Sequence, residues 1–310
     1  MKLAFVFPGQ GSQYVGMGKE MYDEFAQARL IFEEACDEVG FDIKKMCFEG
    51  SDAELKNTAN TQPAILTVSV ACLQVLKDWG IKPVAVAGHS LGEYSALVAA
   101  GSLTFANAVK IVHKRGKYMQ ECAPQNGGMA AILGLDSELV IKSCQQASNK
   151  GVVEVANFNC PGQTVIAGEA DALASAMEIA LSLGARMAVP LQVSGPFHSS
   201  LMKEAGEKLA AVLADSELNE PNCPVISNVT AGEVELAADI KDLLVRQVSS
   251  AVRWDESIKN LSDLGVEIFI EIGPGKVLTG FGKRIIKGAK LLNVENVASL
   301  EKSLANLKEV

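Results

Sequence analysis

Histidine is scarce in this chain, with three residues among 310, and only 5% of the residues are aromatic. Cysteine is present but poorly arranged for structure. The seven thiols (Cys36, Cys47, Cys72, Cys122, Cys144, Cys160 and Cys223) are odd in number, and no two form a C-x-x-C pair. With so few histidines to add, no zinc-ligand spacing arises and a secreted disulfide framework is excluded; reduced thiols in a cytoplasmic protein are expected. Positive charge is short as well: 28 Lys and Arg stand against 37 Asp and Glu, a formal −9. Nonspecific nucleic-acid binding therefore lacks an electrostatic basis. No run of eighteen apolar residues occurs, so no membrane span is expected. The leading apolar run stops at Pro8, too early for a signal-peptide core.

Phosphate loops are missing too. Gly9 and Gly11 follow a first strand, Leu3 to Phe7, but Tyr14 stands where a dinucleotide fingerprint needs its third glycine. Gly18-Lys19 has Gln13 where a P-loop needs its first glycine. The turn Pro8-Gly9-Gln10-Gly11 then reads either as a tight turn or as backbone facing a site at the strand's C-terminal end.

What is present is a globular composition, 48% hydrophobic and 21% charged, around one motif. Val84 to Ala87 is strand-like, Glu93 to Ala100 is built of helix formers, and Gly88-His89-Ser90-Leu91-Gly92 joins them. A serine between two glycines at a strand-to-helix junction fits the nucleophile elbow, in which a strained turn exposes the hydroxyl. Helical patterns run from Met17 to Val39 and again from Gln62-Pro63 to Trp79, with a polar stretch, Glu49 to Thr61, between them. Pro63 is expected in the first helical turn. Strands separated by helices imply a parallel sheet.

From Ala106 to Cys122 the helical wheel gathers Lys110, Lys114, Lys117 and Glu121 on one stripe. Arg115 falls instead on the apolar face, between Ile111 and Tyr118. A buried arginine needs a partner, which can be a protein carboxylate in a structural salt bridge or the carboxylate of a substrate. His113 lies beside the lysine stripe and reads as solvated. Residues 125–195 change rhythm to βαββαβ, with strands at Met129–Leu133, Val152–Ala156, Thr164–Ala167 and Arg186–Leu191 and a turn at Asn157–Gly162. This is the ferredoxin-like pattern, inserted into a larger domain made of 1–124 and 196–310.

His198 follows Gly195-Pro196-Phe197 and precedes a helix expected from about Ser199 to Asp215, whose positive end would keep the imidazole neutral. It can be a packed turn residue or a base. His89 on the tight turn points elsewhere, so a base for Ser90 would have to be His198. Further on, Pro224 to Asn228 reads as a short strand and Leu243 to Ser249 as helix, with Val266 to Ile272 a strand. A last helical stretch carries Lys276, Lys283, Arg284, Lys287 and Lys290, either as a solvated face or as a docking patch.

These motifs together resemble the malonyl-CoA:acyl carrier protein transacylase family. The match covers the whole chain. It rests on Phe7-Pro8-Gly9-Gln10-Gly11-Ser12-Gln13, Thr61-Gln62-Pro63, Gly88-His89-Ser90-Leu91-Gly92-Glu93, the Arg115 helix, Gly195-Pro196-Phe197-His198-Ser199, Gln247 with Val252-Arg253-Trp254, and Glu271-Ile272-Gly273-Pro274-Gly275. The resemblance implies an α/β-hydrolase-like large domain with a parallel sheet and an inserted ferredoxin-like domain. It implies Ser90 as nucleophile and His198 as base, with Gln247 orienting the histidine through a main-chain carbonyl. Backbone N–H groups of Gln10 and Leu91 would form the oxyanion hole. Arg115 would hold the malonyl carboxylate, Gln62 and Phe197 would line the pocket, and no metal or resident cofactor is implied. The partners it implies are malonyl-CoA and acyl carrier protein, with no nucleic acid or membrane. A monomer is one expectation for a solution state that the residues leave open.

Overall fold

A computed structural model describes residues 2–308. The strands, in chain order, are β1 (Lys2–Phe7), β2 (Ala85–Gly88), β3 (Gly127–Leu133), β4 (Val153–Cys160), β5 (Gln163–Glu169), β6 (Met187–Pro190), β7 (Val225–Ile226), β8 (Glu233–Val234), β9 (Val266–Ile272) and β10 (Lys290–Val294). They form two sheets. The larger has the order β10-β9-β1-β2-β7-β8, parallel except for the edge hairpin β7–β8.

The period of two along a strand sorts its side chains between two cores. From β1, Phe5 and Phe7 enter the cluster beneath the helices Thr58–Lys77, Gly92–Ala99 and Phe105–Glu121, together with Val86, Ile268 and Ile270. Ala4 and Val6 face the other way, into a cluster with Ala85, Ala87, Phe269, Trp254 and Leu278. Both faces are covered, as a parallel sheet requires. The helix Thr58–Lys77 is apolar and long enough to cross a membrane by length and composition, but 83% of its apolar window is buried in this core. Its composition is that of a central core helix.

The second sheet, β4-β5-β3-β6, is antiparallel throughout and drawn wholly from residues 127–190. Ala130, Ile132 and Ile166 pack under the helices Ser137–Ala147 and Ala170–Ser182. Met129, Val165 and Ala167 on the opposite face join the core of the large sheet. Backbone bonds between Ala156, Phe158 and Val252 tie β4 to the large domain.

Several expectations need correction. The stretch Glu49 to Thr61 is largely helical, because Asp42, Ser51 and Asn57 cap the helices Ile43–Glu49, Asp52–Lys56 and Thr58–Lys77 by accepting from Lys45, Glu54 and Ala59 N–H groups. Pro63 consequently lies inside the long helix and not in its first turn. Asn157 and Asn159 belong to β4, which continues through two register shifts, rather than to a turn. The basic stretch is helical only over Val277–Ile285, with Lys287 beyond its end and Lys290 starting β10 beside β9, and the last helix is Val297–Lys308. His113 is half-buried with its ring edge-on to Phe41 at 5.4 Å, not solvated.

The elbow glycines are sterically obligatory: a Cβ on Gly88 would overlap the Gly92 backbone, and one on Gly92 would overlap the Phe7 carbonyl. Gly88→Ala or Gly92→Ala should cost at least about 3 kcal/mol in urea unfolding, since backbone cannot yield as a side chain does. Gly280 lies in the helix Val277–Ile285 with nothing near its missing Cβ. Gly280→Ala should stabilise by about 0.5–1 kcal/mol in the same assay.

Candidate active site

Ser90 ends the sharp turn after β2 with φ +52°, a conformation that costs a non-glycine residue roughly 1–3 kcal/mol. Asn228 offsets that cost from beyond the end of β7. Its Oδ1 accepts the Ser90 N–H at 2.6 Å, and its Nδ2 donates to the Gly88 carbonyl at 2.6 Å. The Ser90 N–H is thereby occupied. The next N–H, that of Leu91, precedes the helix Gly92–Ala99 and lacks a helical partner, as helix starts do. Among the described residues neither it nor the Gln10 N–H has a hydrogen-bond acceptor.

His198 also has a positive φ, +61°. Its Nε2 is 2.7 Å from Ser90 Oγ, and its Nδ1 donates to the Gln247 carbonyl at 2.8 Å. That second bond selects the tautomer in which Nε2 is the acceptor. The Gln247 carbonyl can reach the imidazole because Gln247 ends the helix Ala237–Gln247, where the last carbonyls have no intrahelical N–H; its other donor is the Ser250 N–H at 3.5 Å. The Val248 carbonyl accepts the His198 N–H at 3.2 Å. The histidine is therefore held by the C-terminus of one helix. A 3-10 turn, Ser200–Met202, separates it from the helix Lys203–Ala214 that was expected to begin beside it. The imidazole is pushed down to about 3, first by burial and then by the Arg115 charge, so these and not a helix dipole keep it neutral.

Arg115 is 1% exposed. It donates to Gln62 Oε1 at 2.8 Å, to Gln247 Oε1 at 2.9 Å and to Ser90 Oγ at 3.2 Å, and it lies 5.6 Å from the Tyr94 ring centre. Its partners are amides, a hydroxyl and a ring. Among the described residues no carboxylate makes a salt bridge with it, and its Nε has no acceptor. Of the two readings open from sequence, the structural salt bridge is absent.

Ser90, His198, Arg115, Gln62, Gln10, Leu91 and Phe197 line one cavity of about 100 Å³, with Met119 and Met129. Gln247 stands behind it and contacts Ser90, His198 and Arg115. Sequence reasoning missed Asn228 and Glu93 as parts of the site, along with Asn157 on its wall. Asn228 lies in a turn two residues beyond the short strand β7, so only tertiary structure brings it to the elbow. His89 turns away from Ser90 to Asn159 Oδ1, 2.9 Å off, and packs edge-on against Trp254. Glu93 is buried and pushed up to about 7 by burial, against the pull of the Asn228 and Gln247 hydrogen bonds and Arg115. Among the described residues no group of three His, Cys, Asp or Glu side chains is placed to hold a metal ion.

An alcohol hydrogen-bonded to a neutral imidazole, on an elbow that leaves backbone N–H groups free, makes this fold a serine acyl-transfer protein of the Ser–His type. The chain belongs to the acyl transferase domain family, whose model matches residues 4–308. The malonyl CoA-acyl carrier protein transacylase of Bacillus subtilis (strain 168) is 49% identical over 99% of this chain and 98% of its own. The protein of that name from Escherichia coli (strain K12) is 48% identical over 92% and 93%. Among solved structures, an acyl carrier protein S-malonyltransferase from Vibrio cholerae superposes with a TM-score of 0.95 at 46% identity, covering 98% of this chain and all of that one. A malonyl-transacylase in complex with a type II polyketide synthase acyl-carrier protein gives a TM-score of 0.96 at 43% identity, over 99% and 100%.

A histidine can act as a base only when neutral, so with His198 as the base for Ser90 reactivity should be lost only as pH falls through its depressed folded value. Labelling of Ser90 by a fluorophosphonate should be flat from about pH 8 to 5, where an ordinary histidine would titrate near 6.5. Arg115→Ala removes a cation that disfavours imidazolium and should move the acid limb to higher pH, read from the same rate profile.

Proposed function

We propose that this protein transfers the malonyl group of malonyl-CoA to the phosphopantetheine thiol of acyl carrier protein, supplying malonyl units for fatty-acid elongation. The observation that carries the substrate choice is the buried Arg115 without a protein carboxylate, in hydrogen-bond contact with the Ser90 hydroxyl. A malonyl group has a single carbon between its carboxylate and its thioester carbonyl, so it spans two groups this close. The names of the relatives, including one solved with its carrier protein, support the same acceptor.

In this reading Ser90 Oγ attacks the thioester carbon while His198 Nε2 takes its proton. The oxyanion is met by the N–H groups of Gln10 and Leu91, each of which is worth roughly 3 kcal/mol to the transition state. Collapse breaks the C–S bond, and His198 returns the proton to the departing CoA thiolate. The carrier-protein thiol then attacks malonyl-Ser90, giving its proton to His198, and serine regains that proton as it leaves. Gln247 holds the imidazole without an acidic third residue. Gln62 fixes Arg115, and Phe197 closes the acyl pocket. No resident cofactor is needed beyond the thioester substrate and the carrier-protein thiol. Seven unpaired cysteines favour a reducing, cytoplasmic setting.

Carrier docking would fall to local positive charge on an acidic protein. Lys283, Lys287 and Lys114 have no ion-pair partner among the described residues, whereas Lys117 pairs with Glu121 and Arg284 bonds to Pro161 and Gln163 across the domain junction. The three unpaired lysines are therefore the stronger docking candidates.

Incubation with malonyl-CoA should add one malonyl mass to Ser90, and the adduct should pass to carrier protein faster than to water. Leaving a desolvated carboxylate unpaired costs about 3 kcal/mol or more, so Arg115→Ala should slow malonyl transfer by roughly a hundredfold. Acetyl transfer should be spared or improved. Equal loss on both acyl groups would return Arg115 to a purely structural part.

A further inference from the structure

Glu93 takes no part in the steps above, yet among the described residues it is the one carboxylate buried beside Ser90, with 3% of its surface exposed. Its Oε2 accepts two N–H groups, the main-chain N–H of Asn228 at 3.0 Å and Nε2 of Gln247 at 2.7 Å. Those two donors belong to the residues that hold everything else. Asn228 brackets the strained elbow through the Ser90 N–H and the Gly88 carbonyl. Gln247 offers its main-chain carbonyl to His198 and its amide oxygen to Arg115, and its Nε2 donates also to the Ser90 carbonyl at 3.0 Å. Both hydrogens of the Gln247 amide are thus used. The amide cannot flip without setting its oxygen against Glu93 and its N–H against Arg115.

We propose that Glu93 is a positioning residue of the acyl transfer: one carboxylate oxygen, shared by Asn228 and Gln247, keeps nucleophile, base and carboxylate-binding arginine in register. This rests on the malonyl-transfer reading for its substrate but not for its geometry. Burying a carboxylate with no salt-bridge partner is costly, and an apolar residue would avoid that cost. What such a residue could not supply is an acceptor for two donors that arrive from separate elements, one just beyond β7 and the other at the end of the helix Ala237–Gln247. Without that acceptor the Gln247 amide keeps only Ser90 and Arg115 as partners and Asn228 loses its main-chain anchor, so the supports of Arg115 and of the elbow loosen together. The role is one of geometry. A glutamine can place its single amide oxygen where Oε2 sits and accept both N–H groups, whereas an aspartate keeps the charge but is one methylene too short to reach both.

The test is single-turnover acylation of Ser90 by malonyl-CoA and by acetyl-CoA, expressed per acylatable site, with intact mass counting those sites. A displacement of reacting groups by about 1 Å can cost a hundredfold in rate, and Glu93→Ala should lose about that much with both acyl groups. Glu93→Gln should recover at least a tenth of the wild-type rate, and Glu93→Asp should not. A residue that serves folding alone would change the number of acylatable sites and leave the rate per site untouched, which overturns the proposal. So does a loss confined to malonyl, or a fast Glu93→Asp beside a slow Glu93→Gln, which would make charge the operative property. If Glu93→Ala does not fold, the Gln and Asp variants decide alone. Wild-type protein that takes no malonyl would defeat the functional reading instead, and the Glu93 series would then be read from fluorophosphonate labelling of Ser90.

Discussion

The left-handed backbone at Ser90 is the constraint on which the rest of the site depends. A strand and a helix meet there with no intervening loop, so the residues two places either side must lack side chains and the serine must accept an unfavourable φ. A conformation of that kind persists only where neighbours over-determine it. Asn228 does so by gripping both the Ser90 N–H and the Gly88 carbonyl, and Glu93 in turn holds Asn228. The strain leaves the serine hydroxyl projecting into the cavity and, immediately after it, an N–H with no helical partner. Strain and reactivity share one cause.

Electrostatics sets the rest. A guanidinium, an imidazole and a carboxyl group lie close together out of water, and the Arg115 charge pulls down both His198 and Glu93. Arg115 and burial keep His198 neutral, which suits a base. The histidine needs no carboxylate behind it because the end of a helix supplies a carbonyl already aimed. Arg115 is itself held by neutral oxygens, an arrangement that orients the cation without quenching it. An anionic group entering the cavity then meets a donor fork whose geometry is already set.

Much of this was legible in order along the chain. Strand β9, Val266–Ile272, was legible to the residue from the alternation of Val266, Ile268, Ile270 and Ile272 with Glu267 and Glu271. The ferredoxin-like pattern was legible because each helix of the insert has one apolar stripe. Other features were hidden for physical reasons. Caps at Asp42, Ser51 and Asn57 start helices through a single polar side chain, which hydrophobic periodicity does not register. Asn157 and Asn159 resemble turn residues, but in β4 they point into a polar junction between domains. Arg284 looked like one more basic surface residue, although it bridges the two domains.

The sequence by itself determined the elbow, the ordered motifs and the parallel sheet with its inserted domain, and it left His198 as the one histidine able to serve Ser90. Those follow from local rules: glycine spacing, strand and helix period, and the scarcity of histidines. Tertiary structure alone decided what the buried arginine lacks. Whether a cation meets a carboxylate depends on which distant side chains the fold delivers to it, and here it delivers Gln62 and Gln247. Tertiary structure also brought Glu93, Asn228 and Gln247 into one network, because hydrogen bonds between residues more than a hundred positions apart leave no local pattern to read.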